Sequence, residues 1–187
     1  MFIQTEATPN PATLKFLPGR PVLDQGTLEF LDPAESKASP LAARLFEIDG
    51  VKGVFFGTDF ISVTKGDSEW QHLKPAILGA IMEHYLSGEA VTEGEKTGSE
   101  SAPEGEFFAP EDEATVKTIK ELLETRVRPA VAQDGGDITF QGYREGVVYL
   151  HMRGACSGCP SSTATLRHGI ENLLRHFIPE VQEVRPV

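Results

Sequence analysis

Cysteine is almost absent from this chain, with two residues in 187, only three positions apart. That number cannot build the multi-bridge framework of a small secreted protein, so both thiols are expected to be free in a reducing compartment. Long apolar runs are also missing, and nothing approaches the roughly 20 residues that a membrane span requires. The start, Met1-Phe2-Ile3-Gln4-Thr5-Glu6, lacks the basic residues and apolar stretch of a signal peptide, and there is no Arg-rich, acid-poor transit segment. A basic excess is lacking too. With a net charge of -11 and only 8% aromatic residues, the chain offers neither the phosphate-binding face nor the stacking platforms of a nucleic-acid-binding protein.

The charge is unevenly spread. Residues 1–86 carry -4, residues 87–113 carry -8 and residues 114–187 carry +1. The acidic middle is rich in Gly, Ser and Glu without apolar periodicity, the composition of a solvated flexible linker. The expected organisation is therefore α+β, with two small α/β-type domains joined by an acidic flexible linker: 1–87, a linker over 88–110, and 111–187. Phe107 and Phe108 stand out at the end of the linker, either as a partner-docking element or, more simply, tucked onto the second domain.

In the first domain, Ile3 to Glu6 and Thr13 to Leu17 read as short strands around Thr8-Pro9-Asn10-Pro11, where two prolines exclude helix. Leu41 to Ile48 reads as a helix entered at Ser39-Pro40. Val51 to Phe56 and Phe60 to Thr64 form a hairpin around Gly57-Thr58-Asp59, and a last helix spans Glu69 to Leu86. Phe55, Phe56, Phe60, Ile61 and Val63 are read as core, because alternate positions on paired strands must bury something. His72 and His84 have no second ligand at a useful spacing and are read as surface or packing residues. Nothing in this half looks catalytic.

In the second domain, Val116, Ile119, Leu123 and Val127 repeat at helical spacing, which predicts a helix from Glu113 to Val127 ending near Arg128-Pro129. Asp134-Gly135-Gly136-Asp137 lacks the phosphate-loop pattern and precedes a strand, so it is read as a left-handed turn. Ile138 to Gln141 and Val147 to Met152 form a hairpin across Tyr143-Arg144-Glu145-Gly146. After the loop Arg153-Gly154-Ala155-Cys156-Ser157-Gly158-Cys159-Pro160, a helix is expected over Ser161 to Phe177 and a short strand over Val181 to Val184.

Cys156 and Cys159 thus sit between a strand and a helix start, where the helix dipole and unpaired N–H groups favour thiolates. Small neighbours are expected to leave both sulfurs uncovered. Arg153 and Arg167 are positioned by sequence to offset negative charge there. A thioredoxin-like dithiol oxidoreductase also places CxxC between strand and helix, although this domain is small and lacks an X-Pro strand after the helix. A mononuclear zinc or iron site needs four ligands, and His151 and His168 are at no clear ligand spacing. Two buried, inert thiols fit poorly with flanking residues as small as Gly, Ser and Ala. A cubane iron-sulfur cluster usually takes four Cys, so two chains related by a two-fold axis complete a site that one chain half supplies.

The second half, Asp134-Gly135-Gly136-Asp137, then Gly154-Ala155-Cys156-Ser157-Gly158-Cys159-Pro160-Ser161-Ser162-Thr163-Ala164-Thr165-Leu166, with Gly169-Ile170-Glu171 and Pro179-Glu180-Val181, resembles the C-terminal domain of NifU-like proteins. The start through Phe16, with Gly53-Val54-Phe55-Phe56-Gly57 and Asp59-Phe60, resembles the N-terminal domain of the Nfu-type branch. The resemblance implies a non-enzymatic carrier that holds one [4Fe-4S] cluster per dimer on Cys156 and Cys159, serving as both cofactor-binding and metal ligands. It further implies upstream cluster-assembly proteins as sources, apo iron-sulfur proteins as clients, and a cluster-bridged homodimer with no nucleic-acid or membrane partner. A bacterial cytoplasm is the expected location, or the mitochondrial matrix for a processed eukaryotic form. The separate cluster-assembly and ferredoxin-like domains of the longest family members have no counterpart in this sequence, which favours late carriage over de novo assembly.

Overall fold

Ser39 begins the first helix as its sequence suggests: its backbone is extended, its hydroxyl accepts the Ala42 N–H at 3.2 Å, and Pro40 occupies the first turn where no donor is needed. This and all other geometry comes from a computed structural model describing residues 2–93, 105–156 and 160–187, with residues 160–162 described by backbone alone. Residues 94–104 of the acidic segment, and Cys159, lie outside the described residues. The chain divides into two compact units, Met1–Ser99 and Glu100–Val187.

The first unit contains β1 (Gln4–Ala7), β2 (Thr13–Leu17), β3 (Leu28–Phe30), α1 (Pro40–Phe46), β4 (Val51–Phe56), β5 (Ile61–Lys65) and α2 (Trp70–Ser87). Its antiparallel sheet runs β1-β2-β5-β4-β3, and the hairpin register Val54↔Val63 and Phe56↔Ile61 puts these four side chains on one face. There they bury against Leu41 and Leu45 of α1 and Ile77 and Ile81 of α2. Phe55 and Phe60 alternate to the other face, where their rings lie 5.9 Å apart and the Lys15 ammonium sits 4.9 Å from the Phe60 ring centre. The aromatic stripe therefore supplies both faces rather than one. Strand β3 escapes sequence reading because three residues are too few to display a period. The beginning of the acidic segment is fastened to this unit, with Glu89 ion-paired to Arg44 at 3.0 Å and the Glu93 N–H donating to the Ala38 carbonyl at 2.9 Å.

His84 is a packing residue of an unusual kind. It is fully buried on α2, and neither ring nitrogen has a hydrogen-bond partner among the described residues. Desolvation first, and Arg44 of α1 second, depress its pKa, while Glu89 opposes them. The folded value lies below the unfolded value of about 6.5, so the unfolded chain takes up the proton first as pH falls. Stability of this unit is expected to be full above that pH and to decline below it. Denaturation followed by Trp70, the single tryptophan, should show the decline between pH 7 and 5. His84→Leu should flatten it, and an unchanged slope in that variant would assign the decline to another group.

The second unit contains α3 (Glu113–Leu122), α4 (Arg128–Gln133), β6 (Gly136–Arg144), β7 (Val147–Gly154), α5 (Pro160–Phe177) and β8 (Glu183–Pro186). The sheet order is β6-β7-β8, with β8 parallel to β7 through the α5 crossover. Ile138, Phe140, Val148, Leu150, Met152 and Val184 bury against Val116, Ile119, Leu123, Val127 and Val131 on one side of the chain order and Ile170 and Leu174 of α5 on the other. Helix does not end at Arg128-Pro129 as expected. Residues Leu123–Val127 form a π-helical turn, with the Arg128 N–H reaching back five residues to the Leu123 carbonyl, and Pro129 then enters the first turn of α4. The wider turn accommodates a proline ring that would otherwise strike the carbonyl four residues back.

Phe107 joins the second unit. Its N–H donates to Gln141 at 3.2 Å, its carbonyl accepts from Tyr143 at 2.9 Å, and its ring lies 5.1 Å from Tyr149. It sits beside the bulge between Phe140 and Gly142, where a Cβ on Gly142 would come within 2.5 Å of the Phe107 ring. Phe108 stays 37% exposed. At the β6–β7 turn both Glu145 (φ 51) and Gly146 (φ 78) are left-handed, the geometry that favours Asn-Gly. Glu145→Asn is expected to stabilise the unit by about 0.5–1 kcal/mol, seen as slower amide exchange in β6 and β7; faster exchange would contradict the strain.

Candidate metal centre

Strand β7 ends where Gly154 takes a left-handed backbone (φ 63), which turns the chain inward. The Ala155 N–H then donates to the Gly135 carbonyl at 3.2 Å, and the Thr163 hydroxyl on the first turns of α5 donates to the Cys156 carbonyl at 3.0 Å. Cys156 is thereby held between a strand end and a helix start, as the sequence suggests. Its exposure is only 6%, and it belongs to the core.

This burial corrects the expectation of an uncovered thiolate. Desolvation, then the nearby carboxylates of Asp134 and Asp137, push the Cys156 thiol up to about 12. At neutral pH it is then a protonated thiol, and a metal ion bound there would have to displace the proton. The sequence neighbours are small, as expected, but the cover comes from β6, about twenty positions earlier. A Cβ on Gly136 would lie 2.6 Å from the Cys156 sulfur and 2.8 Å from the Arg153 carbonyl oxygen. Gly135 is left-handed (φ 80) and makes the expected turn, whereas Gly136 is not among the left-handed glycines and is needed for closeness instead.

Beneath this contact, Asp137 is 3% exposed and is gripped by Arg128, with Nε donating at 2.9 Å and the second guanidinium nitrogen at 3.1 Å. Asp137 also accepts the Ile138 N–H at 2.9 Å, and Arg128 reaches Glu124 at 2.6 Å. The Arg128 pKa is raised, chiefly by the Asp137 hydrogen bonds. Sequence reading missed this pair and the closeness of Gly136 to Cys156. The available signal was a second glycine in a turn that needs only one.

The other candidates do not converge. His151 is on β7 opposite Thr139, at positions that alternate away from the core residues Leu150 and Met152, and His168 is exposed on α5. Among the described residues no three His, Cys, Asp or Glu side chains form a metal-binding group. The Nε of Arg167 is buried with no partner among them, and Arg153 contributes its carbonyl to the Gly136 contact. Soft thiolate donors suit iron in a cluster, and Cys156 is the one such donor within the described residues.

Comparison with known proteins finds sequence relatives of both units. Residues 3–88 match the family described as "Scaffold protein Nfu/NifU N terminal", and residues 119–185 match "NifU-like domain". The human "NFU1 iron-sulfur cluster scaffold homolog, mitochondrial" is 50% identical over 189 residues, covering 100% of this chain and 72% of its own. "NifU-like protein 4, mitochondrial" of Arabidopsis thaliana is 49% identical over 187 residues, covering 98% of this chain and 65% of its own. A solution structure of a NifU-like protein from Saccharomyces cerevisiae is 28% identical and covers 51% of this chain and 87% of that one, with a TM-score of 0.46. With both halves matched in order and half the residues of the whole chain identical to a relative, the chain belongs to the family of Nfu/NifU scaffold proteins.

Proposed function

We propose that two copies of this chain hold one [4Fe-4S] cluster between them through Cys156 and Cys159 of each, and pass it intact to apo iron-sulfur proteins. The observation that carries the reading is the pair of cysteines three positions apart in sequence, Cys156 following β7 and Cys159 preceding α5, inside the segment that matches the NifU-like domain. Two thiolates are half of what a cubane needs, so the site is complete only when a second copy approaches. Cluster and dimer are then linked, because a ligand that binds only the paired state stabilises it. The cluster is cargo rather than a resident cofactor. A client with a better-enclosed set of thiolates takes it by stepwise ligand exchange, and upstream assembly proteins supply it. No chemistry is performed on a substrate in this reading, so the protein is a carrier and not an enzyme.

The dithiol oxidoreductase is the less favoured alternative. Such an enzyme needs an accessible, acidified thiol, and Cys156 is buried with its pKa raised. A reducing interior suits either kind of thiol. That points to a bacterial cytoplasm or a mitochondrial matrix, and the human and Arabidopsis relatives are both named mitochondrial. Cluster-loaded protein mixed without oxygen with an apo [4Fe-4S] dehydratase, in the presence of an iron chelator, should restore dehydratase activity. Restoration that the chelator abolishes would mean release of iron into solution rather than carriage.

A further inference from the structure

The geometry points to a stored form of Cys156, in which the missing side chain of Gly136 leaves a recess at the start of β6 that receives the empty ligand, and from which Cys156 must emerge for a cluster to be shared with a second copy of the chain. The inference rests on the cluster-carrier reading and adds to it a conformational step and a positioning residue.

Three observations meet here. First, a sulfur that joins two chains through a cluster must be reachable from outside, yet Cys156 is 6% exposed and packed in the core. Second, the recess is shaped by Gly136: a methyl group there would lie 2.6 Å from the sulfur, 2.8 Å from the Arg153 carbonyl oxygen and 3.0 Å from the Cys156 nitrogen. No turn geometry asks for glycine at this position, so close approach is its role. Third, a glycine hinge precedes Cys156. Gly154 has a left-handed backbone, and beyond it, among the described residues, the Ala155 N–H donates to the Gly135 carbonyl at 3.2 Å and the Cys156 carbonyl accepts from the Thr163 hydroxyl at 3.0 Å, contacts that an exit of Cys156 must break. The floor does not move with it, because Arg128 clamps Asp137 next to Gly136.

The step has a functional sense for a carrier. The empty chain keeps this ligand away from stray metal and oxidants, and after delivery the side chain regains its packed place, which favours release over recapture. Gly136 acts through Cys156 and touches no cluster atom itself.

The test uses full-length, reduced, metal-free protein and iodoacetamide, with Cys156 alkylation resolved by peptide mass. Native Cys156 is expected to react about 100-fold or more slowly than the same thiol in urea, as for a group exposed only by local opening. Gly136→Ala, with its secondary structure checked by circular dichroism, is expected to raise the native rate about tenfold or more. Amide exchange at Ala155 should be protected in the empty chain and lose that protection on cluster loading. Native alkylation within about threefold of the urea rate would overturn the stored form. An unchanged rate in folded Gly136→Ala would remove the role of Gly136, and equal Ala155 protection in empty and loaded protein would show that no exit occurs. If Gly136→Ala unfolds, the wild-type alkylation ratio and Ala155 exchange decide the matter alone. Failure of the wild-type chain to take up iron would sink the carrier reading instead, and the alkylation result stands apart from it.

Discussion

Serine in place of Cys156 or Cys159 is expected to abolish cluster uptake and the dimerisation that depends on it. Each substitution removes one ligand per chain and so two of the four at a shared site, and a serine hydroxyl is a hard, weakly acidic donor that does not replace a thiolate on iron. Visible absorbance, iron content and the cluster-dependent shift in mass should be lost together. Cys156→Ser carries an additional effect, because Cys156 is buried among Ile138, Met152 and other core residues. A hydroxyl placed there without a partner costs about 1–3 kcal/mol. Cys156→Ala avoids that burden and should lose the cluster equally, which separates ligand loss from core damage. Dimerisation that persists in a cluster-free double variant would break the proposed link between cluster and assembly.

The second large effect concerns Arg128 and Asp137. Arg128→Leu leaves a carboxylate that is 3% exposed without its bidentate partner, whereas Asp137→Asn leaves a guanidinium that keeps 22% of its side-chain exposure and a second partner in Glu124. Breaking a buried pair from one side costs about 3–5 kcal/mol when the remaining charge is trapped. The arginine substitution should therefore approach that range, and the asparagine substitution should fall well below it. Amide exchange of β6 and β7 in the full chain reads this unit separately. Equal losses from the two substitutions would mean that the pair is worth no more than its separate hydrogen bonds. Because Asp137 adjoins Gly136, Arg128→Leu should also loosen the Cys156 recess.

What the sequence made legible is local. The Val51 to Phe56 strand, the Ser39-Pro40 helix start and the start of α5 near Pro160 follow from alternation, capping and the proline at the helix start, all of which act within a few residues. The candidate ligands Cys156 and Cys159 are proposed from the same kind of local signal, a three-residue spacing within one stretch of sequence. What stayed hidden depends on residues far apart in the chain. The cover on Cys156 comes from Gly136, the clamp on Asp137 from Arg128, and part of the lowering of the His84 pKa from Arg44. Reading small neighbours as exposure failed at Cys156 because β6, distant in sequence, packs against it at Gly136. Reading proline as a helix end failed at Pro129 because a π-helical turn made room for it.

Iron, sulfide and solution mass measured on one anaerobically reconstituted sample address the shared site most directly. The proposal requires four iron and four sulfide for every two chains, a dimer while the cluster is present, and monomers once it is removed by chelation. A single metal ion on a monomer, or a colourless chain that takes up no iron yet reduces disulfides, would contradict it.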